Sequence, residues 1–553
     1  MQLRKLSLTL GLAALAFHFG YAQPHAQEVQ PPAAGQDLKA VAEKLASIEK
    51  RAGEVVFQEP KLFVAGKEVD KGLIDRQLVY IYGRQVMELL KLRILLEEEI
   101  ARQIAGGVDA SRFGVLDAEV DAKVEETRKQ FKEQYPDLKF EDVLQAQGHT
   151  PLSFRLNFEA TLKFDKVFLP DNPNEWPEVT KAAIETQGGA EFASKMLDSL
   201  KEAWNKQTAT GEVTPPNPLY QRIMRQWVVK SLVDTSEVKT PIDGIAPEAC
   251  LQVNERIIRT DEVLPMIEPF IKSYERVQTM KWVGMVEALS AALQAQGKYL
   301  TQEQYLAAWK EKYGQYENTP FSPEVIALAF KKFPSMDVYR TYFRLQESYR
   351  QIIAGEFDDA HLQAHAEYAK DFLGDGKVDA EVILVSAWNF YANAPAGPDA
   401  FEKARVRADE CWRRIQAGED FGKLLDEYSG FIDPPKQQNP QAPPAPEPKK
   451  GRFGPQGKNP LKNFLGETEF NSFLNGYSVG DVIFHELEKS EVAGPMLGPY
   501  GYYIVKVIGR QPGFKALEIS DPSKKELVSQ DYLNKRFLDW SNEVLEKTPI
   551  EIR

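Results

Sequence analysis

Apolar and polar residues follow two different periods along this chain, and the switches between them mark out its elements. Leu62–Val69 and Leu251–Ile258 alternate as short hairpins do, and Glu381–Val385 and Gly501–Val507 are short apolar runs that read as strands. Between them apolar residues recur three and four apart, which places them on one side of a helix. Such stretches run from about Lys71 to Ile104 and from Pro151 to Phe168. Another starts at Asp117, with Val120, Val124, Thr127, Phe131 and Tyr135 as its stripe and Pro136 closing it. In the last third, Phe401, Ala404, Ala408, Cys411 and Ile415 share a face of a helix over Asp399–Gln416. Gly418 follows where a C-terminal cap belongs. A shorter helix, Phe421–Tyr428, comes next. Asp521-Pro522 opens a last helix to about Lys547, and Pro549–Ile552 reads as a closing strand.

A hairpin followed by long helices occurs twice, first from Leu62 and again from Leu251. Internal repeats of this kind govern the architecture. The repeats divide the chain into a helical module at 60–170, a Pro- and Gly-punctuated helical connector at 171–245, and a second module at 246–375. A mixed domain at 376–513 and a tail at 514–553 complete it. Within the mixed domain, Pro434–Pro448 is a Pro-, Gln- and Ala-rich insertion. Its composition suits a disordered surface loop. A second reading lays this run in a neighbouring apolar pocket as an internal competitor.

Residues 1–22 read as a secretory signal: Arg4 and Lys5, an apolar run over Leu6–Phe19 too short to span a bilayer, and Gly20-Tyr21-Ala22 as a cleavage site. Residues 23–59 read as a disordered lead with one short helix. The expectation is an exported protein of the periplasm or a similar compartment, soluble after cleavage and without a stable membrane span. A formal net charge of -13 argues against nucleic acid as partner. The two cysteines, Cys250 and Cys411, are compatible with pairing or with two buried thiols. His361 and His365, four apart on a helix, make two ligands without a third; no metal site or cofactor is expected.

The ordered set Glu381–Val385, Gly418-Glu419-Asp420-Phe421, Tyr428-Ser429, Gly451-Arg452-Phe453-Gly454, Gly480-Asp481-Val482 and Gly501–Val507 resembles the parvulin family of peptidyl-prolyl isomerases. The two helical modules and the returning tail resemble SurA-type periplasmic chaperones, in which such modules precede a parvulin domain. The resemblance implies an α+β fold: two predominantly helical chaperone modules plus a parvulin-like domain with a four-stranded antiparallel sheet, the C-terminal helix and strand returning to the helical modules. It also implies a hydrophobic peptide-binding cup at Phe453, Leu461 and Phe464 or Phe470. Read from the residues alone, these four serve equally well as core. The family's polar network does not carry over: its positions hold Val382, Phe431, Gly498 and Tyr503.

Three functions follow. The first is an exported folding factor that binds unfolded or partly folded secreted or outer-membrane polypeptides, rich in proline and aromatic segments, through a parvulin-like domain with a degenerate polar site. The second is a working parvulin-type isomerase, an activity the replaced positions leave open. The third is a structural envelope protein. Long linkers and a large helical share favour domains that move relative to one another.

Overall fold

Helical stripes need partners, and here both ends of the chain supply them. The computed structural model describes residues 60–134, 140–141, 144, 151–210, 218–246, 248–271, 273–316, 319, 321–389, 394–396, 399–430, 451–513 and 517–553. The targeting segment, the lead, Phe431 and the Pro-rich insertion lie outside the described residues.

β1 (Leu62–Val64) and β2 (Lys67–Glu68) form the opening hairpin. The helices α1 (Lys71–Tyr82), α2 (Arg84–Ala105), α3 (Asp117–Gln134) and α4 (Pro151–Phe168) follow. The connector holds α5 (Glu178–Gly188), α6 (Ala190–Thr210) and α7 (Pro218–Asp234). It then gives β3 (Val238–Lys239) to the second hairpin, β4 (Ala249–Val253) and β5 (Arg256–Arg259), in the order β3-β4-β5. α8 (Thr260–Ile267), α9 (Ser273–Ala295), α10 (Gln302–Tyr313), α11 (Met336–Arg350) and α12 (Asp359–Leu373) complete the helical part.

The two helical stretches interlock through α1. Ile74 and Leu78 join a core with Trp282, Leu289 and Tyr342, whereas Val79 and Tyr80 join another with Phe164, Val167, Cys250 and Val253. Tyr80 Oη donates to the Cys250 carbonyl at 3.2 Å, and Trp282 Nε1 donates to Gln77 Oε1 at 3.1 Å. Cys250 and Cys411 are buried, unpaired thiols in different cores, and burial pushes them up to about 12 and about 11.

The third part is built on β6 (Lys377–Ser386), a small ribbon of β7 (Trp388–Asn389) and β8 (Ala394–Pro395), α13 (Ala400–Gln416), α14 (Phe421–Tyr428) and β9 (Arg452–Gln456). α15 (Lys458–Leu465), α16 (Glu469–Asn475), two helical turns at Val479–Asp481 and Val482–Glu486, β10 (Val492–Gly498) and β11 (Gly501–Gln511) follow. Its sheet is four-stranded and antiparallel, in the order β10-β11-β6-β9. Strand alternation gives it two apolar faces. Ile383, Val385 and Ile504 pack against α13 and α14; Val382, Leu384, Tyr503 and Val505 pack against α15 and the helical turns. The fold is thus α+β, mainly helical, with small antiparallel sheets.

α17 (Pro522–Lys547) and β12 (Ile550–Ile552) close the chain onto its start: β12 pairs antiparallel with β1, Leu62 opposite Ile552 and Val64 opposite Ile550. Gly284 on α9 makes room for that strand, since a Cβ there would lie 2.7 Å from Ile550 Cγ2.

An aromatic seam joins the sheet domain to this two-ended helical core. Phe470 of α16 packs on Trp282 and Phe333, with ring centroids 5.4 and 5.7 Å apart. Phe473 lies 5.0 Å from Tyr342 and stacks on Phe537 of α17 at 5.4 Å. Lys331 Nζ reaches Glu469 at 2.8 Å beside them, and Asn542 Nδ2 donates to the Gly476 carbonyl at 2.7 Å. Separable, mobile domains do not account for this packing: α16 belongs to the sheet domain by sequence and to the helical core by contact.

A second junction carries titratable groups. The His485 ring stacks on Tyr368 of α12 at 4.5 Å and lies 4.8 Å from Phe372. His365 Nε2 bonds Asp531 of α17 at 2.9 Å, and Lys458 of α15 stands 3.7 Å from the other Asp531 oxygen. Burial pushes the His485 imidazole below its ordinary value; Asp481 and Asp531 oppose this, and Lys535 and Lys458 add to it. Burial works against the Asp531 carboxylate, yet the His365 hydrogen bond and the Lys458 charge hold it below the usual range. A base with a depressed folded pKa binds fewer protons folded than unfolded. Its share of stability is complete above about pH 6.5 and shrinks as pH falls below that; Asp531 acts in the same direction at lower pH. His485→Phe keeps the stacking and removes the titration. Its melting temperature is expected to fall less than that of the natural chain between about pH 7 and about pH 5; equal losses would remove His485 from the acid response.

Candidate functional site

The sheet face under α15 is where the resemblance places the prolyl site. Val382 and Tyr503 both point into it and are fully buried. Val382 is opposite Val505 and Tyr503 opposite Leu384, so aliphatic residues adjoin both positions. Tyr503 Oη donates to the Leu465 carbonyl at 2.7 Å, at the C-terminal end of α15. Gly498 faces the same ring: a Cβ there would lie 2.3 Å from Tyr503 Cε2. The phenol therefore occupies the space that a side chain at 498 would need. Burial drives its pKa well above the ordinary value, so it stays neutral. Val382, Gly498 and Tyr503 together make packed core.

One buried carboxylate sits nearby. Glu467 accepts hydrogen bonds from the amides of Val479 and Gly480 (2.9 Å for the latter) and from Ser478 Oγ at 3.1 Å. Burial pushes its pKa up, with Lys462 opposing. All of these donors hold it across the start of a helical turn, which is an anchoring role. Spacing in the sequence did not reveal it, because Glu467 and Ser478 are joined only by the path of the intervening α16. Lys462, on α15, pairs with Asp481 at 3.1 Å and braces the same turn.

The apolar cup is partly assembled. Phe453 from β9 and Phe464 from α15 stack with centroids 4.9 Å apart and 24° between planes. Phe464 is 40% exposed, whereas Leu461 lies buried in the core on which Phe453 rests. Phe470 is not part of this group, since its ring is held by Trp282 and Phe333 in the seam. The outer strands are closed to strand addition at two carbonyls. That of Leu497 accepts from Asn475 Nδ2 at 3.2 Å and Tyr477 Oη at 3.1 Å, and that of Phe453 from Gln456 Nε2 at 2.8 Å.

His361 and His365 do not converge. His361 bonds Asp358 at its own helix start, and His365 turns inward to Asp531.

No protein-family model matches the chain. A stretch of 111 residues is 30% identical to the foldase protein PrsA of Halalkalibacterium halodurans; it covers 20% of this chain and 25% of that foldase. The chain thus matches about a quarter of the length of this relative. Among solved structures, the peptidylprolyl isomerase PrsA of Bacillus anthracis is 15% identical, with 48% of this chain and 94% of that one covered, at a TM-score of 0.18. PrsA of Bacillus cereus is 16% identical, covering 53% and 88%, at a TM-score of 0.18. The sheet order, the helices on its two faces and the foldase match make the chain similar to the parvulin-type foldases, a class of protein-folding factors.

Proposed function

We propose that the chain is an exported folding factor that holds unfolded or partly folded polypeptides at an aromatic cup and does not turn over prolyl bonds. The observation that carries this reading is the pairing of a Phe453–Phe464 stack, half-buried at Phe453 and exposed at Phe464, with a sheet face in which Tyr503 fills the room at Gly498. The stack supplies apolar area for proline or aromatic side chains. Among the described residues, the filled face is lined by Val382, Leu384, Tyr503 and Val505, and the Tyr503 hydroxyl is held by the Leu465 carbonyl. Side chains at two outer-strand carbonyls favour side-chain capture over strand addition. Export rests on the basic, apolar and small-residue pattern of residues 1–22. Among the described residues, no helix is long and apolar enough to cross a membrane.

The test is suppression of aggregation of a denatured outer-membrane β-barrel protein by the full chain. Suppression is expected, and Phe464→Ser is expected to reduce it severalfold with no change in melting temperature, since that ring is partly exposed. A chain that leaves aggregation unchanged would refute the reading.

A further inference from the structure

Far from the cup in sequence, the second helical module presents another aromatic surface. Phe321 is 58% exposed and Phe330 63%, and the two rings stack with centroids 6.2 Å apart and 29° between planes. The backbone turns Phe330 outward: Val325–Phe330 forms a π-helical turn, and Lys332 beyond it takes φ 56°, a left-handed conformation uncommon for a residue with a side chain. Across that turn Phe333 points inward, onto Phe470, and Lys331 reaches Glu469. The exposed pair therefore lies at the surface on the same turn whose next residues, Lys331 and Phe333, enter the aromatic seam. Of the neighbouring charges, Glu324 pairs with Arg84 and Lys331 with Glu469, while Lys332 is exposed.

We propose that the Phe321–Phe330 pair is a second polypeptide-binding platform, one that takes aromatic or branched aliphatic side chains from an extended, unfolded segment. Two stacked rings offer far less than the roughly 1,200–2,000 Å² of total burial that a stable folded interface needs, which disfavours a folded partner or a second copy. They suit one or two anchoring side chains, because binding energy concentrates on such contacts. The platform shares with the folding-factor reading only the premise that the ligand is unfolded polypeptide; its location is independent of the cup.

The test uses the full chain and a fluorescent, reduced and carboxymethylated α-lactalbumin as a permanently unfolded probe. The double variant Phe321→Ser, Phe330→Ser is expected to bind about tenfold more weakly with an unchanged melting temperature, and Phe330→Trp to retain binding. A photocrosslinking residue at position 330 is expected to capture the probe, a readout that holds even if the double variant proves unstable. If the natural chain binds the probe, unaltered affinity in a folded double variant or no crosslink from position 330 overturns the platform and leaves the folding-factor reading intact. If the natural chain does not bind the probe, both fall.

Discussion

Phe473→Ala is expected to destabilise the whole chain by about 3–5 kcal/mol, the usual result of emptying a buried aromatic site. The ring is buried between Trp282, Tyr342 and Phe537, residues from three helices far apart in the chain. It leaves α16, so its loss falls on the joint between the sheet domain and the helical core. Chemical denaturation followed by tryptophan fluorescence measures the cost, since Trp282 and Trp540 both flank the seam. Hydrogen exchange locates it: protection is expected to fall in α16, α17 and β12 together. A cost below about 1 kcal/mol would mean that the seam is not a shared core. The same packing implies that residues 376–513 produced alone would expose Phe470, Phe473 and Leu474, so functional assays belong on the full chain.

The second large effect concerns Gly498 and Tyr503. Gly498→Thr alone forces a side chain into space held by the tyrosine ring and is expected to cost about 1–3 kcal/mol or more. Tyr503→His alone shrinks a fully buried side chain and removes its bond to Leu465, and is expected to cost a comparable amount. The double variant is expected to be more stable than the sum of the two predicts, with a coupling of about 0.5–3 kcal/mol, because each change relieves the other. Thermal melts of the four proteins in this cycle test it. Strict additivity would show that residues 498 and 503 do not compete for one space, and would remove the physical reason for reading both positions as core.

Much of the fold was legible because it is local. The stripe Phe401, Ala404, Ala408, Cys411 and Ile415 reads as one face of a helix, and α13 covers the sheet with it, Phe401 and Ile415 half-buried at its ends. The short apolar runs Glu381–Val385 and Gly501–Val507 read as strands and are two neighbouring central strands, each longer than the run that revealed it. For the site, the sequence offered only an expectation, a set of replaced family positions, and no geometry. That Tyr503 lies over Gly498 depends on the β10–β11 hairpin, which sets Gly498 opposite Gly501 and Met496 opposite Tyr503. Phe470 was misplaced for a similar reason: Phe470, Phe473 and Leu474 form a stripe that any partner would satisfy, and the partner is Trp282, nearly two hundred positions upstream. Glu469 gave no hint of Lys331, because a single charge in sequence does not announce its counterpart across an interface.

The central proposal is that the four-stranded sheet carries an aromatic cup over a face packed as core. Prolyl isomerisation starts from a barrier of about 18–20 kcal/mol, and lowering it takes groups that act on the twisted amide. A protease-coupled isomerisation assay on the full chain, with a proline-containing tetrapeptide, tests the claim most directly. The account predicts a rate equal to that of the uncatalysed peptide at any concentration of the chain. A rate that rises with the chain and disappears on Phe453→Ala would contradict it.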